Sequence, residues 1–281
     1  MTRILMFGLI LAAGCAPAPA GAAEHGRLLL IGQPTLWLEP GPGEPNGPPM
    51  NWKAGTELTV FADCPLEAAH GETWFQVGQD APAGWLPEAC LSLPPVDFDE
   101  SSLRAIGQAR VDRTAGLPPN YAPDDLVSVG PRYEQDRDYK LRAEAAEALA
   151  AMLAAAKADG HTLYVVSGYR PWSVQQTLYE RKVKAAGRDQ KTVAKPGHSE
   201  HQLGTAVDLT DGNEETLLRV SFGESPAGRW LREHAWEFGF AQSYTEHNEA
   251  ETGYQPEPWH FRYWGIDQAR TKHLRALGVE E

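Results

Sequence analysis

The 281-residue chain has little positive charge, few cysteines, and none of the short signatures of several common hydrolase classes. Lys+Arg number 25 against 38 Asp+Glu, a formal net charge of −13, and no basic tract offsets the deficit. That balance argues against a duplex nucleic-acid partner and against attachment to anionic lipid by charge alone. Three cysteines are too few for a disulfide scaffold. No serine opens an S-x-x-K motif, GHSEH at 197–201 fails the last position of G-x-S-x-G, and there is no H-E-x-x-H. A conventional serine hydrolase or zincin is therefore disfavoured. What is present is an ordinary globular mixture, 42% hydrophobic and 22% charged, which excludes wholesale disorder.

The N-terminus, Met1–Ala23, carries Arg3 as its one charge, then the apolar run Ile4–Ala13, then small residues. This is the pattern of a secretory signal, too short to stand as a permanent membrane span. Two processing routes are open. Ala12-Ala13-Gly14-Cys15 resembles a lipobox, which would place a lipid anchor on Cys15; Ala20-Gly21-Ala22 offers simple cleavage instead. Either route predicts an exported protein, periplasmic or held at the cell envelope as a membrane-anchored lipoprotein. In an oxidising compartment, Cys64 and Cys90 are expected to pair as a disulfide.

Two domains are expected. Between residues 26 and 95, the short apolar runs Leu28–Ile31, Leu36–Leu38, Glu57–Phe61, Trp74–Val77 and Gly84–Leu86 are separated by Gly/Pro-rich turns, which reads as a small all-β barrel. The segments LWLEPGPG, KAGTELTVFA, WFQV and GWLPEACLS resemble a bacterial SH3-like domain in their order. Such a module would dock cell wall through exposed Trp37, Trp74 and Trp85, unless those rings form its core. A linker over 96–115 follows. Beyond it, a helix is predicted from Leu141 to Ala158, stopped at Asp159-Gly160, and a strand over His161–Val166. Further on come a helix opening at Pro171, short strands at Val207–Leu209 and Phe261–Trp264, and a helical segment from Trp230 to Phe238. Without a repeating βαβ unit, this order predicts an α+β fold with a central antiparallel sheet and flanking helices.

Metal-competent residues are scattered over this second domain. His201 and Asp208 are seven residues apart, about 23 Å if extended, so the chain must double back for both to reach one ion; Gly204 permits the reversal. His260 can add a third ligand, and Glu257 lies three residues before it. A hydrolytic zinc site needs three protein ligands, an open position and a carboxylate off the metal, and these four residues meet that need. Spacing alone does not choose them over His198, His234 or His247 among the nine histidines.

SGYRP (167–171), PGHSEHQLGTAVDL (196–209) and GYQPEPWHFRYWG (253–265) resemble the signature blocks of the VanY-type zinc D-alanyl-D-alanine carboxypeptidases, relatives of the VanX dipeptidases. The likeness extends over residues 115–265 and implies a Hedgehog/DD-peptidase-like zinc domain spanning 116–281. It implies Zn2+ on His201, Asp208 and His260, with Glu257 as general base and Arg170 stabilising the oxyanion. Ser199, Gln175 and Arg170 would contact substrate. The implied substrate is the D-Ala-D-Ala end of peptidoglycan stem peptides. An L,D-carboxypeptidase, a cross-link endopeptidase, and a wall-binding protein with an inactive peptidase domain are the alternatives. Between Ala241 and Gly253 the chain is acidic where such proteins commonly carry a basic residue beside the tyrosine.

Overall fold

The structure is a computed structural model, and it describes residues 26–31, 36–38, 40, 45–47, 50–53, 56–65, 73–87, 90–92, 107–113, 115–187, 190 and 192–278. The signal segment, Cys15 and most of the expected linker lie outside those residues. Two compact units divide at Pro94/Pro95. Among the described residues no helix is long and apolar enough to cross a membrane.

The first unit is an antiparallel sheet of β1 (Gly26–Leu30), β2 (Glu57–Pro65), β3 (Thr73–Gly78), β4 (Gly84–Pro87) and β5 (Leu91–Ser92), in the order β4-β3-β2-β1-β5. The run expected as a strand at Leu36–Leu38 instead makes a single bridge, in which Trp37 and Trp85 exchange backbone hydrogen bonds of 3.1 and 2.8 Å. Trp37, Trp74 and Trp85 are 7%, 4% and 1% exposed, and the first two meet edge to face. These rings are core. Docking through them, one of the two readings open from sequence, is thereby overturned: a ring buried among Leu58, Val77 and Leu86 has no face left for a ligand. Cys90 is buried in the same core. Among the described residues there is no disulfide, and the side chain of its expected partner Cys64 lies outside them.

The second unit is α+β. A hairpin of β6 (Leu126–Ser128) and β7 (Lys140–Arg142) leads into α1 (Ala143–Ala158). The main sheet has the order β10-β11-β9-β8, all antiparallel, from β8 (Tyr164–Ser167), β9 (Ala206–Thr210), β10 (Phe240–Gln242) and β11 (His260–Tyr263). The other α-helices among the described residues of this unit are α2 (Trp172–Ala186), α3 (Pro226–His234), the single turn α4 (Glu249–Thr252) and α5 (Ile266–Ala276).

Helix α1 buries Ala145, Leu149, Met152, Leu153 and Ala156, the i, i+4, i+7 pattern of an amphipathic helix. That face packs on Val207 and Leu209 of β9 and on Phe240 and Phe261 of the neighbouring strands. Pro171 caps α2 in an extended conformation rather than opening its first turn. The Ser225 hydroxyl caps α3 by accepting from Gly228 N at 3.0 Å. The described part of the segment expected as a linker is structural: Val111 is 4% exposed in a small cluster with Leu117, Tyr121 and Leu203.

Leu149 and Met152 are 1% and 0% exposed. Leu149→Ala or Met152→Ala is expected to lower the unfolding free energy of this unit by about 2–5 kcal/mol. The check is the urea midpoint of its unfolding transition; a shift no larger than that of an exposed alanine substitution would contradict the packing.

Candidate metal centre and active site

The centre is built on paired strands. In the β9–β11 register His260 stands opposite Asp208, so their side chains share one face of the sheet. His201 arrives from the 3-10 helix Glu200–Leu203, which ends at Gly204 in the left-handed conformation, φ 73°. That residue turns the chain directly into β9, and a side chain there would press on Arg142 Cγ and Pro123 Cγ at 3.0 Å. His201, Asp208 and His260 each offer a ligand atom, all within 4.8 Å of one another. They are the one such group of three among the described residues.

Each ring is oriented from behind. His201 Nδ1 donates to the Gly168 carbonyl at 2.8 Å, which leaves Nε2 as the lone-pair nitrogen, 3.2 Å from Asp208 Oδ2. His260 Nε2 donates to Glu200 Oε2 at 3.0 Å, and its Nδ1 lies 2.9 Å from Asp208 Oδ1. Glu200 is held in turn by Arg262, whose Nη1 donates to Oε1 at 2.9 Å and whose Nη2 donates to the Ala109 carbonyl at 2.8 Å. Tyr244 stacks on the His260 ring, centroids 5.1 Å apart. Metal-binding histidines characteristically give their second nitrogen to a carboxylate or carbonyl, and both rings do so here.

The electrostatics fit a cation. Burial opposes ionisation of Asp208, but His201 and His260 outweigh it and hold the carboxyl far below the usual range. Burial also opposes charge on His260, yet hydrogen bonds to Asp208 and Glu200 hold it up at about 10. Glu200 is drawn down to about 2, because Arg262 and His260 outweigh its burial. His201 is pulled down by burial, with Asp208 opposing the fall, which favours the neutral ring. An imidazole lone pair and a carboxylate oxygen 2.9 Å apart require a proton or a metal ion between them. A neutral ring, a second ring with its outer nitrogen already engaged, and a carboxylate form a donor set suited to zinc.

The remaining expected residues surround this set. Burial pushes the Glu257 carboxyl up to about 7, with His260 opposing the rise and Asp208 adding to it. Its backbone N–H bonds Tyr244 O and its carbonyl accepts from His260 N, both at 3.0 Å, which ties it to the strand that carries His260. Arg170 donates from Nη1 to Gln175 Oε1 at 2.8 Å and from Nη2 to Ser167 Oγ at 2.9 Å, and Nη2 lies 3.9 Å from Asp208 Oδ2. The Gln175 amide also donates to Ala194 O at 2.7 Å and the residue is 1% exposed, so it acts by holding Arg170. Ser199 is buried at the start of the 3-10 helix and makes no side-chain capping bond.

The three histidines that spacing left as rivals stand apart from the cage. His198 is buried, pulled down to about 3 by desolvation, and donates Nδ1 to Asp112 O at 2.7 Å. His234 pairs with Glu237 near the end of α3, and His247 is exposed. Sequence reasoning missed Glu200, Arg262 and Tyr244. Arg262 had a signal: it follows His260 by two in a strand, and so shares its face.

The VanY family model, described as D-alanyl-D-alanine carboxypeptidase, matches residues 138–266. The chain is 36% identical to YodJ of Bacillus subtilis over 178 residues, 62% of this chain and 65% of YodJ, so it spans just under two thirds of that relative. Among solved structures, the LD-carboxypeptidase LdcB aligns with TM-score 0.58 and 32% identity over 66% of this chain and 89% of LdcB. The D,D-pentapeptidase VanY of a VanB-type vancomycin-resistance cassette, solved with Zn(II), aligns with TM-score 0.50 and 30% identity over 59% of this chain and 93% of VanY.

Glu200→Gln keeps the shape but weakens the acceptor for His260 and the partner of Arg262. Its expected effect is a 10–100-fold loss of divalent-metal affinity, measured by chelator competition. Unchanged affinity would show that the carboxylate does not orient the ring.

Proposed function

Because the chain belongs to the VanY family of D-alanyl-D-alanine carboxypeptidases, we propose that it is a zinc-dependent carboxypeptidase removing the terminal D-Ala from peptidoglycan stem peptides. The observation that carries the proposal is the convergence of His201, Asp208 and His260, ligand atoms within 4.8 Å, with both rings oriented by hydrogen bonds from behind. These three residues would hold the ion. When bound, zinc supplies Lewis acidity to the scissile carbonyl and to the attacking water.

The chain's own groups do the rest. Glu257, half-buried and with its carboxyl raised to about 7, is poised to take a proton from water at neutral pH and return it to the leaving amine. The bond formed is from water oxygen to carbonyl carbon, the bond broken is carbon to amide nitrogen, and Glu257 ends as it began. Arg170 offers N–H donors to the oxyanion that develops on the carbonyl oxygen. Gln175 and Ser167 hold its guanidinium from two sides, which spares reorganisation during the reaction. The Ser199 hydroxyl, not used in capping, is assigned to substrate contact.

A second reading is supported by the alignment with LdcB, an LD-carboxypeptidase: removal of D-Ala from tetrapeptides. We also assign the first unit to the bacterial SH3-like class, on its five short antiparallel strands, and place the protein outside the cytoplasm, where its substrate is.

The deciding experiment incubates the full chain with defined pentapeptide and tetrapeptide muropeptides, with and without chelator. D-Ala release from pentapeptide, abolished by chelation and restored by zinc, is expected. Release from tetrapeptide alone would move the assignment to the second reading, and no zinc-dependent product would refute both. Glu257→Gln is expected to retain metal and to lose turnover by about 100-fold or more; full activity in that variant would remove Glu257 from its role.

A further inference from the structure

Behind the His260–Glu200–Arg262 relay lies a cavity of about 430 Å3, lined by Glu200 and Arg262 and not by His201, Asp208 or His260. Its wall gathers positive charge in a chain whose net charge is −13. Arg262, Lys272, Arg275 and Arg110 line it, against the acidic Glu200, Asp112 and Glu251. Two of these acids are already matched: Glu200 by Arg262, and Asp112 by Arg110. Lys272 and Arg275, one turn apart on α5, have no ion-pair partner among the described residues, and Glu251 is the one unmatched acid in the wall.

The packing crowds this charge. The Arg262 guanidinium lies 3.6 Å and the Lys272 ammonium 4.0 Å from the Trp264 ring centre, so two cations share one indole. Burial and the nearby Arg262 both pull Lys272 down. Arg262 Nε and Trp264 Nε1, in the same wall, are buried donors without a hydrogen-bond partner among the described residues. A wall whose unmatched groups are predominantly N–H donors and cations calls for an acceptor of negative charge.

We propose that this cavity is a binding site for a compact oxyanion, gripped by Lys272 and Arg275 and seated against Trp264. Phosphate and carboxylate groups share the required chemistry. The site does not depend on the peptidase assignment, because neither gripping side chain, nor Trp264, bonds to His201, Asp208 or His260.

Calorimetric titration of the full chain with inorganic sulfate, then phosphate, at constant ionic strength tests it. Saturable binding is expected, weakened at least tenfold in Lys272→Met/Arg275→Met and unchanged in Arg170→Ala. These two α5 positions are partly or fully exposed, so the double variant is expected to fold, which its unfolding transition would verify. Trp264→Phe, which removes one donor and keeps a ring, is expected to weaken binding while preserving the fold. Absence of saturable binding overturns the proposal. Binding lost in Arg170→Ala but retained in the α5 variant also overturns it, by placing the anion in the catalytic cleft.

Discussion

The structure depends on one cross-strand pair. Asp208 and His260 face each other across β9 and β11, and a carboxylate shared between two imidazoles is tenable in a buried setting only with a positive charge among them. Everything nearby serves that pair. The Gly168 carbonyl fixes which nitrogen of His201 turns inward, and Glu200 does the same for His260. Arg262 neutralises Glu200, so the orienting carboxylate is not itself an uncompensated buried charge. The sheet register is therefore a chemical constraint as well as a topological one: a slip by one residue would turn Asp208 into the opposite layer.

The centre also separates three carboxyl groups by environment. Asp208 and Glu200 are kept ionised by the cations and rings they touch, whereas Glu257, half-buried and close to the same acids, is raised to about 7. Fixed anions bind and orient, and the group with the labile proton is the one suited to transfer it. Arg170 sits at the junction of these roles. It lies near Asp208, yet its hydrogen bonds go to Gln175 and Ser167, which keeps the guanidinium aimed rather than collapsed onto the cage.

Much of this could be read from the sequence, for identifiable reasons. The α1 helix is legible from its run of strong helix formers and the stop at Asp159-Gly160; it lies at Ala143–Ala158, with the expected first two positions, Leu141 and Arg142, in β7 instead. The Gly204 reversal was required by the reach between His201 and Asp208, and it is present. The ligand set itself came from the motif blocks, because spacing could not distinguish His260 from His198; only the fold shows that His198 is held by Asp112 O. Gln175 was expected at the substrate and instead braces Arg170, a distinction that depends on where Ala194 returns in space. The tryptophans of the first unit were ambiguous because a short strand with a large aromatic reads alike whether the ring is inside or out. The hairpin β6–β7 and the strand β10 are three residues per strand, too short for a pattern to stand out, and the helix α5 was missed.

The residues ahead of the expected boundary at 116 have a consequence for how the second unit can be divided. Gly107 and Ala109 give their carbonyls to Arg262, and Asp112 gives its own to His198. An excised fragment beginning at residue 116 would strand a buried guanidinium and a buried imidazole without those acceptors. The smallest autonomous fragment thus starts no later than Gly107, and the peptide that looks like a tether is a strut of the metal-site unit.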